Sequence, residues 1–202
     1  QPYESEDLLQ RMLAQYPDLL AGEQMTTGAP RRWLLVAREL GVPDAEAGGD
    51  CWAVDHLFLD QDAVPTIVEV KRGSDTRIRR EVVGQMLDYA ANAVVYWSAE
   101  RLRARFEASC EQGGVEPAER LGEALGFEAD PDGFWQAVKT NLQAGRVRLV
   151  FVADVIPPEL RRIVEFLNGQ MDPAEVIAVE VRQYVGQGMT TLVPRLVGQT
   201  EK

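Results

Sequence analysis

Residues 52–72, WAVDHLFLDQDAVPTIVEVKR, constrain the fold more than any other part of the chain. Two runs rich in β-branched and aromatic residues flank the polar turn Asp60-Gln61-Asp62-Ala63, with Pro65 just beyond it. That is the pattern of a β-hairpin. Folded about residue 62, its strands pair positions whose numbers add up to about 124, so Val54 faces Val70, Leu57 faces Ile67 and Asp55 faces Glu69. Side chains alternate along a strand, which puts Lys71 on the face of the two carboxylates. Like charges directly opposed in a sheet repel across Cβ separations of roughly 4.5–5.5 Å. Flanking by Leu57, Leu59 and Ile67 adds partial desolvation, which raises at least one carboxyl pKa. A retained proton or an intervening cation relieves the conflict. Two carboxylates, an ammonium and further oxygen ligands suit a hard divalent ion such as Mg²⁺. The alternative is an exposed edge where Asp55 caps the hairpin and Glu69–Lys71 is a surface pair, and the apolar flanks argue against it. Register decides the matter, because a slip of one residue sends Asp55 to the opposite face.

A chain of 202 residues suits one domain, or one domain carrying an insertion. No apolar run approaches the roughly 20 residues of a membrane span, and no signal-peptide pattern occurs. The first residue is Gln1 rather than Met, the expectation for a fragment or a processed product. Cys51 and Cys110 lack metal-type spacing and read as free thiols of a reducing, cytoplasmic compartment. His56, the single histidine, points away from Asp55 on its strand and reads as a core or second-layer residue. A net charge of −11 gives no overall attraction for polyanions. The charge is uneven, however: residues 71–80 hold five basic residues and one acid, directly after the carboxylate strand. Such a segment is either a solvated loop or, beside a metal site, a place for phosphate contact.

In chain order, Ser5 caps a helix with apolar positions Leu8, Leu9, Met12 and Leu13, ended by Pro17. Glu6 lies in its first turn, either as an acid favoured by the helix dipole or as a third carboxylate reaching Asp55 and Glu69. Residues 32–40 read as a strand, and 41–50 as a loop. From residue 80 to about 93 a helix is expected, with Val82, Val83, Met86, Leu87, Ala90 and Ala91 on its apolar face. Gln85 and Tyr89 stack at i, i+4 on one side, so the Gln needs a hydrogen-bond partner, in the core or at a site. Residues 94–97 (VVYW) suggest a short strand. Residues 98–145 read as a helical insertion of three helices, suited to a lid, a substrate-binding arm or a dimer surface. Residues 146–153 form a central strand, 157–168 a helix stopped by Gly169, and 176–185 and 190–197 closing strands. The first part of the core is thus 1–97, and the remainder 146–202.

The order of helix with Glu6, strand, strand with Asp55, strand with Glu69-Val70-Lys71 and helix with Gln85-Met86-Leu87-Asp88-Tyr89 resembles the PD-(D/E)XK nuclease superfamily. It is most similar to the branch with a Q-x-x-x-Y helix motif, as in RecB-type and NucS-type nuclease domains. The resemblance covers roughly residues 4–97, with 146–168 fitting the rest of the core. An E-x-K triplet alone is a weak signal. Asp55, thirteen intervening residues, E-x-K and a following Q-x-x-x-Y form a more specific combination. Val54 stands where the nominal "PD" has Pro. The resemblance implies an α/β, restriction-endonuclease-like core, a mixed central sheet flanked by helices. It implies that Asp55, Glu69 and the Val70 carbonyl hold Mg²⁺ or Mn²⁺, that Lys71 handles the attacking water, and that Glu6 completes the pocket. Gln85 and Tyr89 would position the substrate strand, and Arg77, Arg79 and Arg80 would contact phosphates. The expected activity is phosphodiester hydrolysis of DNA in repair, recombination or defence, on single-stranded or branched substrates more than plain duplex, with a homodimer possible on the 98–145 surface. The rival expectation is a catalytically silent nucleic-acid-binding or dimerisation module on the same fold, which the acidic charge favours. A small-molecule phosphodiesterase would use similar chemistry.

Overall fold

The computed structural model describes residues 3–26, 28–43, 50–74, 81–126 and 130–198. Six strands form one mixed sheet in sequential order: β1 (Trp33–Pro43), β2 (Asp50–Asp60), β3 (Pro65–Val70), β4 (Arg148–Ala153), β5 (Glu175–Gly186) and β6 (Met189–Val197). The pairs β1–β2, β2–β3 and β5–β6 are antiparallel, whereas β3–β4 and β4–β5 are parallel. Parallel neighbours need long crossovers. The first is supplied by α2 (Glu81–Tyr96), α3 (Ala99–Gly113), α4 (Pro117–Leu125) and α5 (Pro131–Gln143), the second by α6 (Pro158–Gln170). The β2–β3 hairpin has the expected register from Leu59–Pro65 to His56–Val68, but the expected Asp55–Glu69 and Val54–Val70 pairs lie outside the ladder, and Val54 and Val70 join different cores.

Every residue of β3 and β4 is buried, so both faces of the sheet must be covered. On one face α1 (Glu6–Gln15) and two 3₁₀ turns pack Leu9, Leu13, Leu20 and Met25 over Phe58, Val68, Val150 and Val179. On the other face lie α2–α6. Residues 98–145 contribute Leu102, Phe106, Leu121, Leu125, Trp135 and Val138 to the same core as Leu57 and Ile67, so this segment is a wall of the core. Asn141 of α5 donates to the carbonyls of Asp62 (3.0 Å) and Ala63 (2.9 Å), tying that wall to the hairpin turn. Among the described residues no helix is long and apolar enough to cross a membrane.

Two local expectations need correction. Residues 94–97 are not a strand: α2 runs to Tyr96, and the Trp97 N–H still bonds the Ala93 carbonyl at 3.0 Å. The stripe of Val82, Met86, Tyr89, Ala90 and Ala93 carries on to buried Trp97, and burial of that face outweighs the β preference of Val94 and Val95. Nor does Gly169 stop α6, which continues to Gln170 before the Met171 N–H closes on the Leu167 carbonyl.

Where β3 and β4 begin, charge is buried in a closed network. Arg148, 2% exposed, donates to Glu175 Oε2 (2.6 Å), Asp60 Oδ2 (2.9 Å) and Thr66 Oγ1 (3.1 Å). Asp60 also accepts from Arg31 at 2.8 Å, and its other oxygen takes the N–H groups of Asp62 (3.0 Å) and Val64 (2.9 Å). One side chain therefore both closes the hairpin turn and neutralises a buried guanidinium.

Candidate functional site

The opposite end of β3 is built differently. The β2–β3 ladder ends at His56–Val68, and beyond it the Val70 N–H is satisfied by Asp55 Oδ2 at 2.7 Å instead of by a backbone carbonyl. On the other side, the β1 register passes from Arg38–His56 to Leu40–Val54 across Glu39, whose φ is +50°. Strict alternation would put Val54 and Leu57 on opposite faces, yet both join the same core. The strand changes face across Asp55 and His56, and Asp55 sits where it does so.

Around that carboxylate the chain gathers the expected charges. Glu69 is 2% exposed, its Oε1 lies 2.9 Å from Lys71 Nζ, and its buried Oε2 has no hydrogen-bond partner. Lys71 Nζ is also 3.8 Å from Glu6 Oε2. Glu6 is held in the first turn of α1, where the Leu8 N–H bonds Ser5 Oγ at 3.1 Å, and its Oε1 accepts the Arg72 N–H at 3.3 Å. Glu6 is thus a first-turn acid of α1 that also lies against Lys71 and the Arg72 N–H. Burial pushes the Asp55 carboxyl up against the stabilising Val70 N–H. Burial, then the neighbouring Asp55, raises Glu69 to about 7. Burial disfavours the charged Lys71, but Glu69, Asp55 and Glu6 together leave its pKa raised, so the amine stays protonated.

From α2, the Gln85 side-chain amide donates to the Tyr89 hydroxyl. Tyr89 is buried, and burial followed by the nearby charges of Glu69 and Asp55 raises its pKa, so the hydroxyl stands beside the acidic cluster. Glu6, Asp55, Glu69 and Lys71 thus gather at the end of β3, with Tyr89 in their electrostatic reach and Gln85 bonded to Tyr89. Arg77, Arg79 and Arg80 lie outside the described residues. His56 is a core residue: its Nε2–H donates to the Gln10 carbonyl at 2.8 Å, which fixes the tautomer, and burial lowers its pKa to about 4.

Sequence reasoning missed the supports. Gln10 sets its side chain against Asp55, favouring the charged carboxylate, while its Oε1 takes Arg38 Nη2 at 3.4 Å. Asp154, just past β4, accepts the N–H groups of Gly73 (2.7 Å) and Val155 (3.0 Å) and so fixes the exit of β3. Gly73 has no room for a side chain, since a Cβ would meet the Val155 carbonyl oxygen at 2.5 Å. An acid closing the apolar run 146–153 was the one visible sign of Asp154.

The donor set suits a hard cation. Glu69 Oε2 is buried without a hydrogen-bond partner, and Asp55 acts electrostatically on its carboxyl. Among the described residues no three His, Cys, Asp or Glu side chains form a metal-holding group. Protein ligation would therefore rest on two carboxylates and a backbone carbonyl, which fits Mg²⁺, an ion that keeps several of its waters. No protein-family model, no curated protein and no solved structure matches this chain.

Proposed function

We propose that the chain is a divalent-metal-dependent nuclease that hydrolyses phosphodiester bonds of DNA on a PD-(D/E)XK, restriction-endonuclease-like core. The observation that carries the reading is the unpartnered, buried Glu69 Oε2 beside Asp55, with a protonated Lys71 at 2.9 Å. Asp55, Glu69 and the Val70 carbonyl would hold Mg²⁺ or Mn²⁺. When bound, such an ion supplies Lewis-acid polarisation of the phosphodiester and charge neutralisation. Lys71 orients the attacking water and offsets charge building on the phosphorane oxygens. Glu6 helps hold the ammonium in place, and the Gln85–Tyr89 pair lines the approach of the substrate strand.

The test is cleavage of single-stranded, duplex and flapped DNA with Mg²⁺ or Mn²⁺. Wild type cleaves at least one of them, whereas a Glu69→Ala/Lys71→Ala double variant leaves only background; equal rates from the two proteins would sink the reading. One observation favours a catalytically silent module instead: Lys71 already occupies Glu69 Oε1, and no third acid joins a metal-holding group among the described residues.

A further inference from the structure

Strands β3, β4 and β5 run parallel, so they end at the same pole of the sheet. Glu69 shares a row with Phe151 and Ala178, and two strand spacings put Ala178 roughly 10 Å from it. The β4–β5 pairing ends at Ala153–Glu180, but β5 continues to Gly186 with β6 as its partner. The six residues from Val181 project roughly 20 Å beyond the last β4 pair. The ribbon closes at Gln187-Gly188, both at positive φ (51° and 75°), as a two-residue type I′ turn requires.

Alternation decides what the ribbon presents. Val176 and Ala178 belong to the core on the Glu69 face, so Glu180, Arg182 and Tyr184 continue that face, opposite Arg195, Val193 and Thr191 of β6. Glu180 is buried, its Oε2 fixed by the Ile156 N–H at 3.0 Å. Its Oε1 takes Arg182 Nε at 2.7 Å and lies 3.2 Å from Arg195 Nη2. One anchored carboxylate therefore holds two guanidiniums, whose side chains stay 49% and 63% exposed, and leaves a positive excess in a chain of net charge −11. Tyr184, 54% exposed, stands beside them.

We infer that this ribbon face binds a single-stranded nucleic acid and leads it to the Glu69 pole, with Arg182 and Arg195 on phosphates and Tyr184 under a base. Charge complementarity, an exposed aromatic ring and the shared pole select that occupant. Planar guanidiniums pre-set on one carboxylate suit phosphate, and aromatic stacking accepts any base. The inference rests on the nuclease reading for its purpose but is tested by binding alone.

The experiment is fluorescence anisotropy with labelled oligodeoxythymidylate of roughly 20 nucleotides, longer than a typical single-strand site, in EDTA across a salt series. Arg182→Ala/Arg195→Ala lowers the salt slope by about 1.4, the loss of two single-strand phosphate contacts. Tyr184→Ala weakens binding roughly tenfold, the scale of one lost stacking contact. Val185→Ala, on the opposite face, binds like wild type with the same melting temperature. The inference is overturned if wild type holds no oligonucleotide, or if the Arg and Tyr variants bind as wild type does. The two readings fail separately. Weakened binding by the ribbon variants upholds the binding face even should wild type prove unable to cleave. Unchanged affinity of the ribbon variants overturns the inference even where Glu69→Ala/Lys71→Ala abolishes cleavage.

Discussion

The two ends of β3 bury charge in opposite ways. At its start, both oxygens of Asp60 are met by donors, two guanidiniums and two N–H groups, and Arg148 spreads across Asp60, Glu175 and Thr66. At its end, Glu6, Asp55 and Glu69 share one ammonium, and one buried oxygen of Glu69 has no partner. A network closed on itself stabilises a fold. A cluster left open costs stability, and such clusters are where perturbed carboxyl pKa values concentrate.

The sharpest way to break this contrast is to truncate one member of each cluster. Arg148→Ala leaves Asp60 and Glu175 without their shared cation and is expected to cost about 3–5 kcal/mol in urea unfolding, the penalty for breaking a buried pair. Glu69→Gln is expected to do the reverse at neutral pH without metal, holding or raising stability. Comparable losses from the two variants would mean that both ends are structural.

The pH dependence follows from Glu69, raised from an ordinary 4.5 to about 7. The folded chain keeps this proton where the unfolded chain has released it. Its contribution to stability therefore falls as pH rises between those two values and is level above the higher one. The fall amounts to about 3 kcal/mol at most. Chemical denaturation across that window shows the slope in wild type and loses it in Glu69→Gln; an unchanged slope in the variant would assign the titration elsewhere.

Smaller effects refine the picture. Gly73→Ala forces its Cβ onto the Val155 carbonyl oxygen and is expected to cost about 1–3 kcal/mol, read by thermal melting. Tyr89→Phe removes one hydroxyl and one hydrogen bond, about 1 kcal/mol of stability, but should slow DNA cleavage by more than that loss implies. Gln85→Ala should behave likewise. Wholesale loss of melting temperature in either would make the pair a core feature.

How far the sequence foretold this contrast depends on the range of the interactions. The hairpin register up to His56–Val68 was legible because turn chemistry and alternation act over a few residues, whereas the turn of Asp55 onto the Val70 N–H beyond it left no local pattern. The Ser5 cap announced where Glu6 would stand, and i, i+4 spacing announced the Gln85–Tyr89 contact. The Arg148–Asp60 pair, 88 residues apart, left no local pattern. The left-handed backbone at Glu39, between the Arg38–His56 and Leu40–Val54 pairs, has no glycine to mark it. Residues 94–97 carry a strand composition that tertiary burial overrides.

Calorimetric titration with Mn²⁺ tests most directly whether the open end of β3 was left open for a cation. Wild type is expected to bind, Asp55→Asn to lose that binding, and Arg148→Lys, at the closed end, to keep it. A wild-type protein that takes up no metal as far as millimolar concentrations would contradict the account.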